Sequence, residues 1–310
     1  MKKPASPTHI WFNGQVIPWK DALVHVWTEL AARGANVFEG IRCYKQEKGG
    51  YQLLSLEEHI KRLYQSAKIL HILPPFACEQ IIDGIKELIK TLSPQEHFYV
   101  RPTIYVEYGR YGEIDGDFKN GAYIVAFPVP RHKNTFQGAN CCVSTWLRSN
   151  DLCMSPLVKA GSAYQSFKLP MIEAKNRGCD EAILLNIHHY VAETTGSAVF
   201  IVRNGIVITP PLSAGILESI TRKNVIKLLS REMKIDVIER NIPRTELYLA
   251  EEIFLAGTLS EITPVLNVDN ISIGSGQIGT ITKTIQKIYF DICEGRKEDK
   301  YTWMTPLTFS

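Results

Sequence analysis

Several things are missing from this sequence, and each absence excludes something. No run approaches the ~18–20 consecutive apolar residues that a membrane-spanning helix needs, so nothing predicts a membrane protein. The basic start Met1-Lys2-Lys3-Pro4 leads into Ser6, Pro7 and His9, not into an apolar stretch, and does not read as a secretory signal. The seven cysteines include no CxxC pair, which removes the usual zinc and redox-dithiol patterns and predicts reduced thiols in a cytoplasmic protein. The eight histidines fall at no ligand spacing, His188-His189 being the only adjacent pair, so no metal is expected. Charge of one sign is scarce too. Lys and Arg total 35 against 32 Asp and Glu, a net charge of +3 that predicts neither nucleic-acid nor membrane-surface binding. There is no GxGxxG, no Walker loop, no repeat and no low-complexity tract.

What remains has the composition of a globular protein: 310 residues, 45% hydrophobic and 22% charged, enough for two domains or one large one. His9 to Val16 alternates around Asn13-Gly14 and predicts a hairpin. Leu56 to Leu70 has helical spacing, with Ser55 as its expected N-cap, and Ile81 to Leu92 repeats the pattern. Phe98 to Tyr108 and Ala122 to Pro128 are β-rich. Pro128 to Asn134, with two prolines and a polar run, ends a strand without starting a helix and marks a linker.

Short strands are expected at Asn140 to Trp146, Glu181 to Asn186, Val199 to Val202 and Ile206 to Thr209, the last two joined by Asn204-Gly205. Helices are expected from Ala163 to Arg177, closed by Gly178, and from Ser219 to Met233. Strands and helices mix without βαβ alternation, so the fold class is α+β. The expected organisation is a small N-terminal domain over residues 1–128, a linker over 129–135 and a larger mixed domain over 136–310.

A few residues could carry chemistry. Lys159 follows apolar residues and precedes four small ones, Ala160-Gly161-Ser162-Ala163. A lysine in such surroundings can act as an amine nucleophile, and small neighbours admit a flat ligand, although a surface-loop lysine has the same local pattern. Glu193 ends a short strand with no cationic partner nearby in sequence, so it is either an exposed turn residue or a buried carboxylate that needs a cation. Gly215 to Arg222 opens a helix whose free N–H groups could hold an anion or simply be capped. Ala256-Gly257-Thr258 could add another N–H and hydroxyl, and Arg62 reads locally as a surface arginine.

Together these pieces resemble the class IV pyridoxal-phosphate aminotransferases, specifically the bacterial branched-chain amino-acid aminotransferase group. The similar segments run from Ile10-Trp11-Phe12-Asn13-Gly14 through Val37-Phe38-Glu39-Gly40-Ile41-Arg42-Cys43-Tyr44, Tyr99-Val100-Arg101-Pro102 and Lys159-Ala160-Gly161. They continue through the Glu193 segment and Gly257-Thr258-Leu259-Ser260-Glu261-Ile262-Thr263-Pro264-Val265 to the tail Glu298-Asp299-Lys300-Tyr301-Thr302-Trp303.

The resemblance implies a two-domain PLP fold of type IV, like that of D-amino acid aminotransferase. It implies pyridoxal 5'-phosphate held covalently by Lys159, with Tyr164 at the phenolic oxygen, Glu193 at the pyridinium nitrogen and Leu217 under the ring. Arg62, Ile220, Thr221 and Thr258 would hold the phosphate, and Arg33, Phe38, Gly40, Tyr99, Arg101, Val129 and Leu259 would line the substrate pocket. The activity implied is ping-pong transamination of the branched-chain L-amino acids Leu, Ile and Val with 2-oxoglutarate, giving 2-oxo acids and glutamate. Lys159 would move the substrate Cα proton. The implied partners are small amino acids and 2-oxo acids, with a homodimer or higher homo-oligomer. Alternatives are a class IV transaminase for D-amino acids or amines, or a lyase resembling aminodeoxychorismate lyase.

Some positions depart from that group's usual pattern. Arg33 replaces a tyrosine, Val129 a tryptophan, Ala198 an asparagine, and Ser162-Ala163 a Gly-Asn pair. An arginine at position 33 must reach solvent, pair with a protein carboxylate, or meet a substrate carboxylate such as that of glutamate.

Overall fold

The structure, a computed structural model, describes residues 6–108 and 119–307. Asn13 and Gly14 both take positive φ (46° and 98°), which lets His9–Phe12 turn directly back into Gln15–Pro18 as the expected hairpin. This hairpin forms one edge of the sheet of the first structural unit, which comprises Met1–Pro130, Val158–Tyr164 and Cys293–Ser310. Across that sheet the order is Met304–Leu307, Tyr51–Leu54, Ile41–Lys45, Phe98–Tyr108, Lys119–Pro128, His9–Phe12 and Gln15–Pro18, with Asn36–Phe38 also paired to Phe98–Tyr108. The central pair runs antiparallel from Phe98 opposite Pro128 to Tyr108 opposite Lys119.

Helices Leu56–Ile69 and Cys78–Leu92 bury Ile60, Leu63, Ile81, Ile85 and Leu88. Gly84 has no Cβ for a reason of space: one built there would lie 2.7 Å from the Trp11 ring. Ser55 stands at the N-cap position but does not cap. It adopts a left-handed conformation (φ 52°) with no capping bond from its side chain, and its N–H donates to the Trp303 carbonyl at 2.6 Å.

The second unit, Arg131–Leu157 and Gln165–Ile292, carries the other sheet. Its order is Val191–Thr194, Glu181–Leu185, Ala139–Leu147, Glu261–Val268, Glu252–Gly257, Ala198–Arg203, Ile206–Thr209 and Val237–Glu239, with Ile271–Ser272 paired to Glu261–Val268. Val191–Thr194 also pairs with Ala198–Arg203, so six of these strands close into a ring around Val143, Ile183, Val191, Ile201, Leu255 and Val265. Parallel and antiparallel pairs are mixed, as the α+β reading expects.

The division of the chain departs from the expected domains in two places. The break at Pro130/Arg131 falls inside the expected linker. The tail, however, joins the first unit because Met304–Leu307 adds a strand beside Tyr51–Leu54, and Val158–Tyr164 joins it through the bridge between Val37 and Ala160. Neither long-range pairing leaves a local pattern. The linker does start a helical turn, at Asn134–Gln137.

The helix expected from Ala163 to Arg177 is broken into a turn at Gly161–Tyr164, a 3-10 turn at Gln165–Phe167 and a helix at Lys168–Asn176. Pro170 explains the restart. Inside a continuous helix it would lack an N–H and clash with the preceding turn, whereas in the first turn of a new helix it is tolerated. Gly178 (φ 73°) follows that helix as expected, and Ser219 caps Ile220–Glu232 by accepting from the Arg222 N–H at 3.2 Å. The helix Thr280–Cys293 went unassigned in the sequence although Ile281, Ile285, Ile288, Tyr289 and Ile292 recur at helical spacing, and Ile285, Tyr289 and Ile292 are buried.

Candidate active site

In the first unit Lys159 is held through its backbone. Its N–H donates to the Ser66 hydroxyl at 3.2 Å and its carbonyl accepts from the Phe38 N–H at 2.9 Å, so the residue is not on a loose loop. The half-buried side chain ends with Nζ donating to the Tyr164 hydroxyl at 2.5 Å. Nζ also lies 5.1 Å and 4.9 Å from the ring centroids of Phe38 and Tyr164, and these two rings meet edge to face at 4.9 Å. The Arg101 guanidinium lies on Phe38, 3.7 Å from the ring centroid. Gly40 makes room for Tyr99: a Cβ there would sit 2.5 Å from the Tyr99 hydroxyl, whose pKa burial pushes up. Phe38, Arg101, Lys159 and Tyr164 therefore form one contiguous group, with Tyr99 packed on Gly40 two residues from Phe38.

The same helix that presents Ser66 turns two more polar side chains inward. His59, Arg62 and Ser66 are all buried, against the local reading of Arg62 as a surface arginine. Its counter-charge is Glu39, a residue to which the sequence reading gave no role. Arg62 donates from Nε to Glu39 Oε1 at 2.6 Å and from Nη2 to Oε2 at 2.8 Å. Oε2 also meets His59 Nδ1 at 2.7 Å and the Gly40 N–H at 3.2 Å. Complete burial would by itself raise the Glu39 pKa, but Arg62 and His59 outweigh it and hold the carboxyl well below the usual range. Burial lowers the pKa of His59 despite the carboxylate beside it. A signal for this cluster exists in the sequence: Glu39 is the one carboxylate among the largely apolar residues 36–44, and such a carboxylate, if buried, must find a cation.

The second unit carries the other expected residues. Glu193 is buried, and its partner is Arg148, 45 residues earlier, whose Nε donates to Glu193 Oε1 at 2.6 Å. Leu217 N–H donates to the same oxygen at 3.2 Å, while Oε2 carries no hydrogen bond among the described residues. Arg148 is steadied by the Ser149 hydroxyl at 2.6 Å and by the Phe167 ring at 5.1 Å. Arg148 was missed because only the fold brings the two strands together.

Ile220 and Thr221 open the helix Ile220–Glu232, where first-turn N–H groups have no carbonyl within the helix to bond. Thr258 lies in the turn between Glu252–Gly257 and Glu261–Val268. That turn is tied down by the Ser197–Ser260 hydroxyl pair at 2.6 Å and by Thr263 donating to the Ser260 carbonyl at 2.7 Å.

Three other expected pocket residues, Arg33, Val129 and Leu259, have surroundings of their own. Arg33 ends the exposed helix Glu29–Arg33 and donates to Glu29 at 2.5 Å, the protein-carboxylate outcome among its three. The half-buried Val129 offers its carbonyl to Arg42 at 2.9 Å, and Leu259 is exposed.

The comparisons with known proteins agree over most of the chain. The amino-transferase class IV family model matches residues 36–268. A protein of Aquifex aeolicus named as a probable branched-chain-amino-acid aminotransferase is 37% identical over 99% of both chains. The branched-chain-amino-acid aminotransferase of Escherichia coli K12 is 37% identical over 96% of both. The crystal structure of the Escherichia coli enzyme superposes with a TM-score of 0.92 at 36% identity, covering 98% of this chain and all (100%) of that one. That of the Thermobaculum terrenum branched-chain amino acid aminotransferase in its PLP-form gives 0.91 at 35% identity, covering 98% of this chain and 99% of that one. With a family model spanning most of its length and full-length relatives above 30% identity, this chain belongs to the class IV amino-transferase family.

Proposed function

We propose that the protein is a branched-chain-amino-acid aminotransferase that uses pyridoxal 5'-phosphate to exchange amino groups between Leu, Ile or Val and 2-oxoglutarate. One observation carries this reading furthest: an amine, Lys159 Nζ, fixed 2.5 Å from a phenolic hydroxyl and bordered by the Phe38 and Tyr164 rings, in a chain of this family. The donor set suits the cofactor. A carboxylate oxygen without a hydrogen bond, Glu193 Oε2, matches a pyridine N–H, and the first-turn amides of Ile220 and Thr221 match a phosphate. When bound, the cofactor supplies an aldehyde that captures the substrate amine and a ring that accepts the electron pair left at Cα.

Each residue then has a task. Lys159 Nζ would hold the cofactor covalently, and as a free amine it would carry the substrate Cα proton. Tyr164 keeps Nζ in place and would donate to the phenolic oxygen. Arg148 fixes Glu193 so that its second oxygen keeps the ring nitrogen protonated, while Leu217 supports the ring. Arg62, Ile220, Thr221 and Thr258 hold the phosphate. Phe38, Gly40 and Tyr99 bound an apolar space for branched side chains, with Val129, Leu259 and Arg33 at its margins. Arg101 offers a charge for a substrate carboxylate.

We place the enzyme in the cytoplasm, which suits seven free thiols, and as a homodimer or higher homo-oligomer. Leu23, Val26 and Trp27, all more than three-quarters exposed, would be covered in such an assembly. The testing experiment assays a panel of L- and D-amino acids with 2-oxoglutarate. Turnover of L-leucine, L-isoleucine and L-valine above all others is expected. A preference for D-amino acids or amines would overturn the specificity, and elimination without amino transfer would overturn the reaction.

A further inference from the structure

We propose that Glu39 is a positioning residue for the phosphate of the cofactor, acting by fixing the guanidinium of Arg62 with His59 as its brace. The inference rests on the reading above, in which Arg62 holds that phosphate. An arginine side chain is long and flexible, and ordering it costs conformational entropy each time it grips a ligand. Here that cost falls at folding. Glu39 takes the side-on edge of the guanidinium, Nε at 2.6 Å and Nη2 at 2.8 Å, which fixes both the plane and the direction of its end-on edge.

The carboxylate is itself unable to turn. An ionised carboxylate only accepts, so the proton of the His59–Glu39 contact at 2.7 Å sits on Nδ1, and the Gly40 N–H adds a third donor to Oε2. A buried ion pair of this kind adds little stability over packed apolar residues, so its value here lies in geometry.

The cluster is also built into the frame that holds Lys159. Glu39 follows Phe38, whose N–H binds the Lys159 carbonyl, and Arg62 stands one helical turn before Ser66, whose hydroxyl accepts from the Lys159 N–H. The phosphate arm and the reactive amine are thereby held by the same strand and the same helix.

The test separates phosphate positioning from mere support of the fold by using two aldehydes, pyridoxal 5'-phosphate and pyridoxal, titrated into the full-length apoprotein and read by absorbance. Glu39→Gln should weaken pyridoxal phosphate binding by about 10–100-fold, the range for a charge-assisted contact. It should change pyridoxal binding by less than about threefold, since pyridoxal offers Arg62 nothing to hold. In an Arg62→Gln background the same substitution should cause no further loss, because the two act as one unit. Equal losses on both aldehydes, or no loss on the phosphorylated one, would overturn the proposal. If Glu39→Gln does not accumulate as folded protein, His59→Ala leaves the charge pair and removes only its brace. That variant should then weaken pyridoxal phosphate alone, by about three- to tenfold. A loss without phosphate dependence there would equally overturn it. A wild-type apoprotein that binds neither aldehyde would instead overturn the cofactor reading itself, and the role of Glu39 with it.

Discussion

Glu39 with Arg62 in the first structural unit and Glu193 with Arg148 in the second are buried pairs at the same distance of 2.6 Å, yet the two differ in what is left over. In the first unit Glu39 is wholly enclosed and both of its oxygens are engaged, by Arg62, His59 and the Gly40 amide. In the second, Glu193 puts both of its contacts on Oε1 and retains 8% exposure. A saturated carboxylate can only hold its neighbours in place, whereas one with a spare oxygen can still bind something. Position in the sequence shows neither state. The difference assigns Glu39 to geometry and Glu193 to chemistry, and substitution can test each half of that assignment.

The largest expected effect falls on the group both pairs are proposed to serve. Lys159→Ala removes the amine that holds the cofactor and moves the proton, so turnover should fall by at least roughly 10²–10⁴-fold. Cofactor covalently trapped by borohydride should disappear with it. A variant that keeps a substantial fraction of the wild-type rate would detach both pairs from catalysis.

Glu39→Gln comes next and should be felt in stability. Removing one partner of a buried pair leaves the other charge uncompensated, at a cost of about 3–5 kcal/mol. The sign with pH follows from the direction of the shift. The folded carboxyl lies below the unfolded value of about 4.3, so its stabilisation is fully present above that value and is lost as pH falls below it. Thermal unfolding from pH 7 down to pH 3 should thus show wild type and variant converging in acid. A constant gap would mean that the pair contributes nothing through its ionisation.

Glu193→Gln also leaves a buried arginine, Arg148, uncompensated and should cost stability, but its distinguishing effect should be on rate. It removes the charge proposed to keep the pyridine nitrogen protonated, which matters most in the transition state. The kcat should therefore fall by about 10–100-fold while KM changes little. An unchanged kcat would erase the distinction between the two pairs.

Local pattern was legible where contacts are local. The Asn13-Gly14 and Asn204-Gly205 hairpins, the strand Phe98–Tyr108 and the helix Ile220–Glu232 all follow from turn residues and periodicity. A single helix from Ala163 to Arg177 would put Pro170 in its interior, so the chain restarts a helix at Lys168 instead. The burial of Arg62 is hidden from the local pattern for a different reason. Helical spacing marks the apolar side of Leu56–Ile69 but cannot tell that His59, Arg62 and Ser66 share it, since only Glu39 on a distant strand makes their burial tolerable. Arg148 was invisible for the same reason: it meets Glu193 across 45 residues. The cofactor roles came from resemblance, and their geometry came from long-range pairing.

The smallest effect concerns two arginines of the first unit that contrast in the same way as the glutamates. Three outcomes were open to Arg33: solvent, a protein carboxylate or a substrate carboxylate. In the structure it pairs with Glu29 one helical turn away, with 46% of its side chain exposed. Arg101 lies on the Phe38 ring, which Lys159 Nζ also borders, with no ion pair among the described residues, and its buried Nε has no hydrogen bond. An arginine already satisfied has little to give a ligand, whereas one lying on an aromatic face still has donors to offer. Arg101→Gln should therefore lower kcat/KM for glutamate and 2-oxoglutarate by about one to two powers of ten more than for leucine. Arg33→Tyr breaks an exposed i,i+4 pair worth about 0.3–0.5 kcal/mol and should move all substrates together by less than about threefold. Should Arg33→Tyr instead single out the dicarboxylic substrates, the Glu29 pair must open when substrate binds, and Arg33 rather than Arg101 would be the carboxylate's partner.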